Sequence, residues 1–137
     1  MSMVSFLAMY GLMYMMVDRF SNVYTNLNQF YMAGAMTGAM LLIELLVMGA
    51  MYKNLRGRVV AGAIAISLTG VFFALTRMQT GIGNAQFLRS MIPHHGAAIL
   101  MCEQAPITDP QIKTLCAGII KNQQSEVDLM RRLLESN

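Results

Sequence analysis

Residues 84–104 read NAQFLRSMIPHHGAAILMCEQ and residues 109–130 read DPQIKTLCAGIIKNQQSEVDLM, separated by the four residues APIT. In the first segment Phe87, Met91, His94 or His95, Ala98 and Met101 or Cys102 recur at helical spacing, which predicts a helix from about Asn84 to Gln104. Pro93 removes one intrahelical hydrogen bond and crowds the preceding turn. It therefore predicts a kink just before the His pair and a nearby carbonyl left unpaired. Asp109 followed by Pro110 combines an N-cap with a favoured first helical residue, and the helix it opens is expected to run to about Leu134. Its inner stripe is Ile112, Cys116, Ile119, Gln123, Glu126 or Val127, Met130 and Leu134, with Lys113, Lys121, Asp128 and Arg132 facing out. So short a connection makes the two helices an antiparallel hairpin. Counting outwards from a turn near residue 107 sets His94 and His95 opposite Ile119 to Gln123.

This hairpin concentrates ligand chemistry. Met91, His94, His95, Met101 and Cys102 place two thioethers, two imidazoles and a thiol within three turns of one helix. Thioether and thiolate are soft donors and imidazole is borderline, a set that suits monovalent copper or silver better than magnesium, calcium or manganese. Met91 stands three residues before His94 and four before His95, so thioether and imidazole converge on one side. Adjacent His residues diverge by about 100° on a helix, so both reach a single ion only with help from the kink or from a second hairpin. Glu126 and Gln123 on the facing helix fit the role of acceptors that fix a ligand imidazole's tautomer. Met130 lies farther along the stripe, within reach of His94 only in a swapped or dimeric arrangement. Plain packing of the Met residues, with one hydrogen-bonded and one solvated His, fits the same spacing. Cys102 and Cys116 sit on opposite arms, several ångströms out of step in the counted register. A disulfide, two buried thiols and a pair of soft ligands all fit the sequence.

Upstream, residues 76–86 read TRMQTGIGNAQ, where Gly81 and Gly83 break helical periodicity, so 77–83 is expected to be a linker. Before it the chain turns apolar. Between Phe30 and Tyr52 the only formal charge is Glu44, and that stretch exceeds the roughly 30 Å of a bilayer's hydrocarbon core; 59–76 carries no charge and is long enough to span with little tilt. A shorter apolar run, 3–17, is read as a third span if the flanking Met1, Ser2 and residues around Asp18 contribute or the bilayer thins. With no Lys or Arg before that run and no small-residue cleavage site after it, a retained anchor is expected in place of a signal peptide. Tyr10, Tyr14, Phe20, Tyr24, Phe30, Tyr31 and Tyr52 gather towards the span ends as interfacial belts. Lys53, Arg56 and Arg58 form a basic loop that belongs in the cytoplasm. Three spans then put the N-terminus inside and the hairpin outside, which for a bacterial chain means an inner-membrane protein with a periplasmic or extracellular domain.

Within the second span Met32, Met36, Met40, Glu44 and Met48 recur every four residues. Such a ladder would suit a soft-metal path if several copies assembled around it, although ordinary packing accounts for it too. Glu44 is an ionisable group in the bilayer interior, where such groups face protein or water. Gly34 with Gly38, and Gly70 with Ala74, permit close helix approach.

The composition agrees with this division into 1–76, 77–83 and 84–137. Of 137 residues 55% are hydrophobic and 12% charged, with 15 Met and no Trp, which excludes both disorder and a wholly water-soluble globule. The net charge of +3 is no nucleic-acid signature, because the basic and acidic residues after Arg77 nearly cancel and no basic patch forms. There is no hydrolytic triad, phosphate loop or paired catalytic carboxylate, so an enzyme is not expected.

The segments FLRSMIPHHGAAILMCEQA and DPQIKTLCAGIIKNQQSEVDLM resemble the bacterial family called domain of unknown function 305, whose hallmark is a Met-Ile-Pro-His-His helix. Gln123, Glu126 and Met130 match the second helix's Gln-x-x-Glu-x-x-x-Met pattern. YGLMYMM, the Met-rich second span and GAMYKN are similar to the family's membrane-anchored branch. The resemblance implies a ferritin-like hairpin linked to copper and silver binding or tolerance, with Met91, His94, His95, Met101 and Met130 as ligands. Asn84 stands where many relatives carry an acidic residue.

The expected architecture is therefore all-α: three transmembrane helices in the lipid bilayer followed by an antiparallel ferritin-like hairpin. The expected function is binding of monovalent copper, or silver, outside the cytoplasm, in a homo-oligomer or a larger membrane complex. The metal ligands would come from Met91, His94, His95, Met101, Cys102, Cys116, Glu126 and Met130. A structural accessory subunit and a small oligomeric copper permease are the alternatives.

Overall fold

The computed structural model describes residues 2–51 and 54–136, so Met1, Tyr52, Lys53 and Asn137, including the aromatic and basic positions assigned above to 52 and 53, lie outside the described residues. Those described residues form an all-α chain of five helices without strands: α1 (Ser2–Leu12), α2 (Leu27–Val47), α3 (Leu55–Met78), α4 (Asn84–Gln104) and α5 (Pro110–Glu135). They belong to two compact units. One comprises Met1–Met13 and Asn28–Gly81, the other Tyr14–Leu27 and Ile82–Asn137.

In the first unit, α2 and α3 are the helices long and apolar enough to cross a membrane. The expected third span is not one of them. After 11 residues α1 gives way to a 3₁₀ turn over Met13–Met16, and a helix of that length rises only about 17 Å. The chain leaves the helix because Tyr14 and the residues after it belong to the other unit, where the Tyr14 hydroxyl donates to the Tyr24 carbonyl at 2.8 Å. The span expected at 30–52 begins three residues earlier and ends at Val47, before a short 3₁₀ turn at Gly49–Met51. The next begins at Leu55, because the Asn54 side chain caps it by accepting from the Gly57 amide at 3.2 Å. Arg56 and Arg58 therefore ride on the first turn of α3 and not on a loop. At its other end α3 runs through Arg77 and Met78 to a left-handed Gln79, which shortens the expected linker to 79–83.

α2 and α3 meet through small residues. Ala33, Gly34, Thr37 and Gly38 are buried on one side and Ala65 on the other. A Cβ on Gly34 would come within 2.6 Å of the Phe72 ring, and one on Gly38 would meet the Thr69 hydroxyl and backbone. Gly70 faces open space, so the second small-residue pair plays no such part. Around this seam Phe6 packs edge-on against Phe30 at 5.1 Å, and Asn28 and Gln79 exchange side-chain hydrogen bonds. The Met ladder points largely outward, with Met32 45%, Met36 47% and Met48 39% exposed.

In the second unit α4 and α5 occupy the expected ranges to within a residue. Asp109 caps α5 by accepting from the amides of Gln111 and Ile112. The two run side by side in opposite directions around Leu88, Ile92, Val127 and Met130, with Tyr24, Met91 and Leu134 packed against that core. The buried face of α4 is thus Leu88, Ile92, His95 and Ile99, one position round from the expected stripe, and Phe87 and Met101 are about half exposed. The expected register fails as well. Cys102 stands beside Cys116, and His95 beside Glu126. Outward counting assumes that both arms start level at the turn, whereas the first turn of α5 overshoots the end of α4 and leaves Ile112 48% exposed.

The segment Tyr14–Leu27 is a third structural part of this unit. Pro93 has no N–H to offer the Arg89 carbonyl, the orphan expected from the sequence, and Asn26 Nδ2 donates to that carbonyl at 3.5 Å. Gln86 Oε1 accepts from the Leu27 amide at 3.1 Å. Gly96 gives room to Asp18, whose Oδ1 would collide with a Cβ there. Asn22, 1% exposed, donates to the same Asp18 oxygen at 2.6 Å, and accepts from Arg131 on α5, which also donates to Ser21 at 2.9 Å. The segment thereby braces α4 to α5.

Candidate functional site

Helical spacing brings Met91 and His95 onto one side of α4, and Glu126 and Met130 onto one side of α5. Packing of Ile92 against Val127 and Met130 sets the two sides together. The His95 ring is nearly buried, and both of its nitrogens are engaged. Nδ1 lies 2.9 Å from the Met91 carbonyl oxygen and Nε2 lies 2.7 Å from Glu126 Oε2. A carbonyl only accepts, so Nδ1 carries a proton and Nε2 is the nitrogen presented to the carboxylate. At 2.7 Å Nε2 and the Glu126 carboxylate share a proton, so an ion taking Nε2 as a ligand would have to displace that proton from the pair. Glu126 reaches in from a side chain that is 56% exposed, so the pair lies at the edge of the core. Met91 packs against the core cluster of Leu88, Ile92, Val127 and Met130.

The remaining expected ligands separate from this group. His94 is exposed, its ring 6.2 Å from that of His95 and at 63° to it, as the divergence of adjacent helical residues requires. Met101 is 52% exposed and lies about 15 Å along the helix from Met91. Cys102 and Cys116 form a disulfide with Cα atoms 5.3 Å apart, so neither offers a thiolate in this form. Gln123 makes no bond to His95, and its buried Oε1 has no hydrogen-bond partner among the described residues. No three His, Cys, Asp or Glu side chains gather closely enough among the described residues to hold an ion.

Sequence reasoning missed Asp18, Asn22, Asn26 and Arg131. Asp18 is the notable case, with a side chain 3% exposed, one oxygen on Asn22, and the other lacking a hydrogen bond and 3.9 Å from Arg19 Nε. Two residues already announced these neighbours: Gly96 in a helix interior marks a close approach, and Pro93 leaves a carbonyl in need of a donor.

No solved structure matches the chain. A family model described as "Domain of unknown function (DUF305)" matches residues 74–137, the last turn of α3 together with α4 and α5. Over 138 aligned residues the chain is 30% identical to "Uncharacterized protein L153" of Acanthamoeba polyphaga mimivirus, covering 98% of this chain and 89% of that protein. The similarity to that protein thus extends across the apolar half as well as the α4–α5 unit, and with the family match it places this chain in the domain of unknown function 305 family.

Proposed function

We propose that the α4–α5 unit is a ferritin-like binding module for monovalent copper, or silver, held at a lipid bilayer by α2 and α3 and acting outside the cytoplasm. The observation that carries this reading is the orientation of His95, whose Nδ1 is tied to the Met91 carbonyl while Nε2 meets Glu126, in a unit whose core holds Met130 with Met91 packed against it. Imidazole and two thioethers form a soft donor set, and the cation is cargo, buffered or handed on. His94, on the solvent side of the same turn, is placed to meet an ion arriving from water.

Topology supports the placement. Tyr14–Leu27 precedes α2 and Ile82–Asn137 follows α3, yet both belong to one unit, as an out-and-back pair of spans requires. Arg56 and Arg58 at the start of α3 favour the cytoplasmic side for the connection between those spans, which sends the α4–α5 unit to the opposite face whether or not α1 crosses.

The test is titration of the full chain in detergent with monovalent copper against a chromophoric competitor. His95→Ala and Met91→Leu with Met130→Leu are each expected to weaken binding by at least about tenfold, the scale of losing one ligand. Equal affinity in all three proteins overturns the reading. It would favour the accessory-subunit alternative, to which the double hydrogen bonding of His95 already lends weight, since a ring so held is also a sound structural element.

A further inference from the structure

α5 presents a second seam. Leu115, Ile119, Asn122, Glu126, Leu129 and Leu133 follow one another at intervals of four, three, four, three and four residues, the spacing of the a and d positions in a coiled coil. This stripe is adjacent to the one that packs on α4, and it is open. Leu115 is 61%, Leu129 48% and Leu133 44% exposed, Asn122 is exposed, and only Ile119 is half-buried. A solvent-facing stripe on a surface helix is ordinarily polar, so four branched apolar residues in heptad phase ask for a partner.

We infer that this stripe binds the same stripe of a second copy of the chain, antiparallel, in a register centred on residue 124. The stripe is self-complementary in that register and in no parallel one. With the helices antiparallel, Leu133 meets Leu115 of the second copy, Leu129 meets Ile119, and Glu126 meets Asn122, and the dyad repeats each layer. Four apolar layers flank two polar ones, in each of which an Asn122 amide donates to a Glu126 carboxylate. A parallel pairing sets Glu126 against Glu126, placing like charges in the seam. The paired Asn and Glu fix the register as a polar coiled-coil layer does, because a slip of one heptad either way sets each of them against leucine or isoleucine. The dimer also completes the site already described. Glu126 Oε2 takes the His95 ring, leaving Oε1 for Asn122 of the second copy, so the His95–Glu126 pair becomes the centre of a network drawn from two chains. The inference rests on spacing and exposure alone and stands or falls independently of copper.

The experiment uses the full chain in detergent micelles with the native disulfide oxidised, carrying Leu115→Cys or Leu133→Cys and distinguishable tags, and a short bismaleimide crosslinker. A mixture of the two variants is expected to give crosslinked heterodimers at a yield at least about tenfold above that of either variant alone, since only residues 115 and 133 face each other. Self-crosslinking of each variant alone would show a parallel seam, and no crosslinking in any combination would show that another molecule, or none, covers the stripe. Either result overturns the inference. A second arm tests the register. Asn122→Asp sets two carboxylates in each polar layer and is expected to lower the crosslinked yield by about tenfold with helicity unchanged, and adding Glu126→Gln is expected to restore it. An Asn122→Asp chain that crosslinks like the parent overturns the register.

Discussion

The α2–α3 seam and the α4–α5 seam solve the same packing problem by opposite means. The first is built from Ala33, Gly34, Thr37, Gly38 and Ala65, residues that let two backbones approach and leave the large side chains pointing away. The second buries Leu88, Ile92, Val127 and Met130, and is then fastened by a disulfide, by the His95–Glu126 contact and by the Tyr14–Leu27 brace. The difference fits the proposed placement of the first seam in lipid and of the second in water. Lipid gives no hydrophobic reward for bringing apolar side chains together, so close backbone packing is what holds helices there. Water does give that reward, yet a two-helix unit is too small to live on it alone and recruits crosslinks.

The largest effect should come from removing the staple. Cys102 and Cys116 close a loop with a sequence separation of 14, for which chain-entropy reasoning gives about 3 kcal/mol. Replacing both by Ser is expected to cost the α4–α5 unit about that much, seen as faster hydrogen exchange along α5, while α2 and α3 exchange as before. Uniform loosening of both units would break the contrast drawn here.

A smaller effect separates two glycines of the apolar unit. At Gly38 a Cβ would meet Thr69 N at 3.0 Å and Ala65 O at 3.1 Å, both backbone atoms that cannot swing aside, whereas at Gly70 nothing lies within 4 Å. Gly38→Ala is therefore expected to destabilise by about 1–3 kcal/mol. Gly70→Ala should be neutral or stabilising by up to about 1 kcal/mol, because alanine is the better helix former. Denaturation in mixed detergent micelles ranks the pair, and a reversed order would show that the α2–α3 crossing lies elsewhere.

These contrasts also mark what the sequence makes legible. Helix limits in the polar half follow from local chemistry that acts within one turn, so Asp109, Pro110 and the glycines before Asn84 place α4 and α5 to within a residue. Register does not follow, because it depends on how far one helix overshoots the other, and Glu126 lies three residues beyond the far end of the stretch expected opposite the His pair. That one imidazole of the His pair is hydrogen-bonded in the core while the other is solvated was among the readings residue types allowed, as was a contact between Glu126 and an imidazole. That Met101 and His94 stand apart was not, since choosing between stripes one position apart needs the partner helix in view. The third apolar run misled because hydropathy reports on solubility and not on tertiary competition, and Tyr14 onwards has a better use in the brace.

The smallest expected effect bears on that brace and tests its logic most directly. Asn26 donates to the carbonyl that Pro93 orphans. Asn26→Ala should cost about 1–2 kcal/mol by leaving that carbonyl without its donor. If supplying the missing hydrogen bond is what Asn26 does, the loss must depend on the proline. Pro93→Ala restores a backbone N–H to Arg89, and in that background Asn26→Ala should cost less, giving a favourable coupling of at least about 0.5 kcal/mol in a double-mutant cycle. Strict additivity would mean that Asn26 serves only its neighbour Tyr24, to whose carbonyl it also donates at 3.0 Å. The Met-Ile-Pro-His-His-Gly run at 91–96 would then lose half of its structural account. With coupling, its proline and glycine are the seat of the brace, one through the carbonyl that Asn26 satisfies and the other through the room it leaves for Asp18.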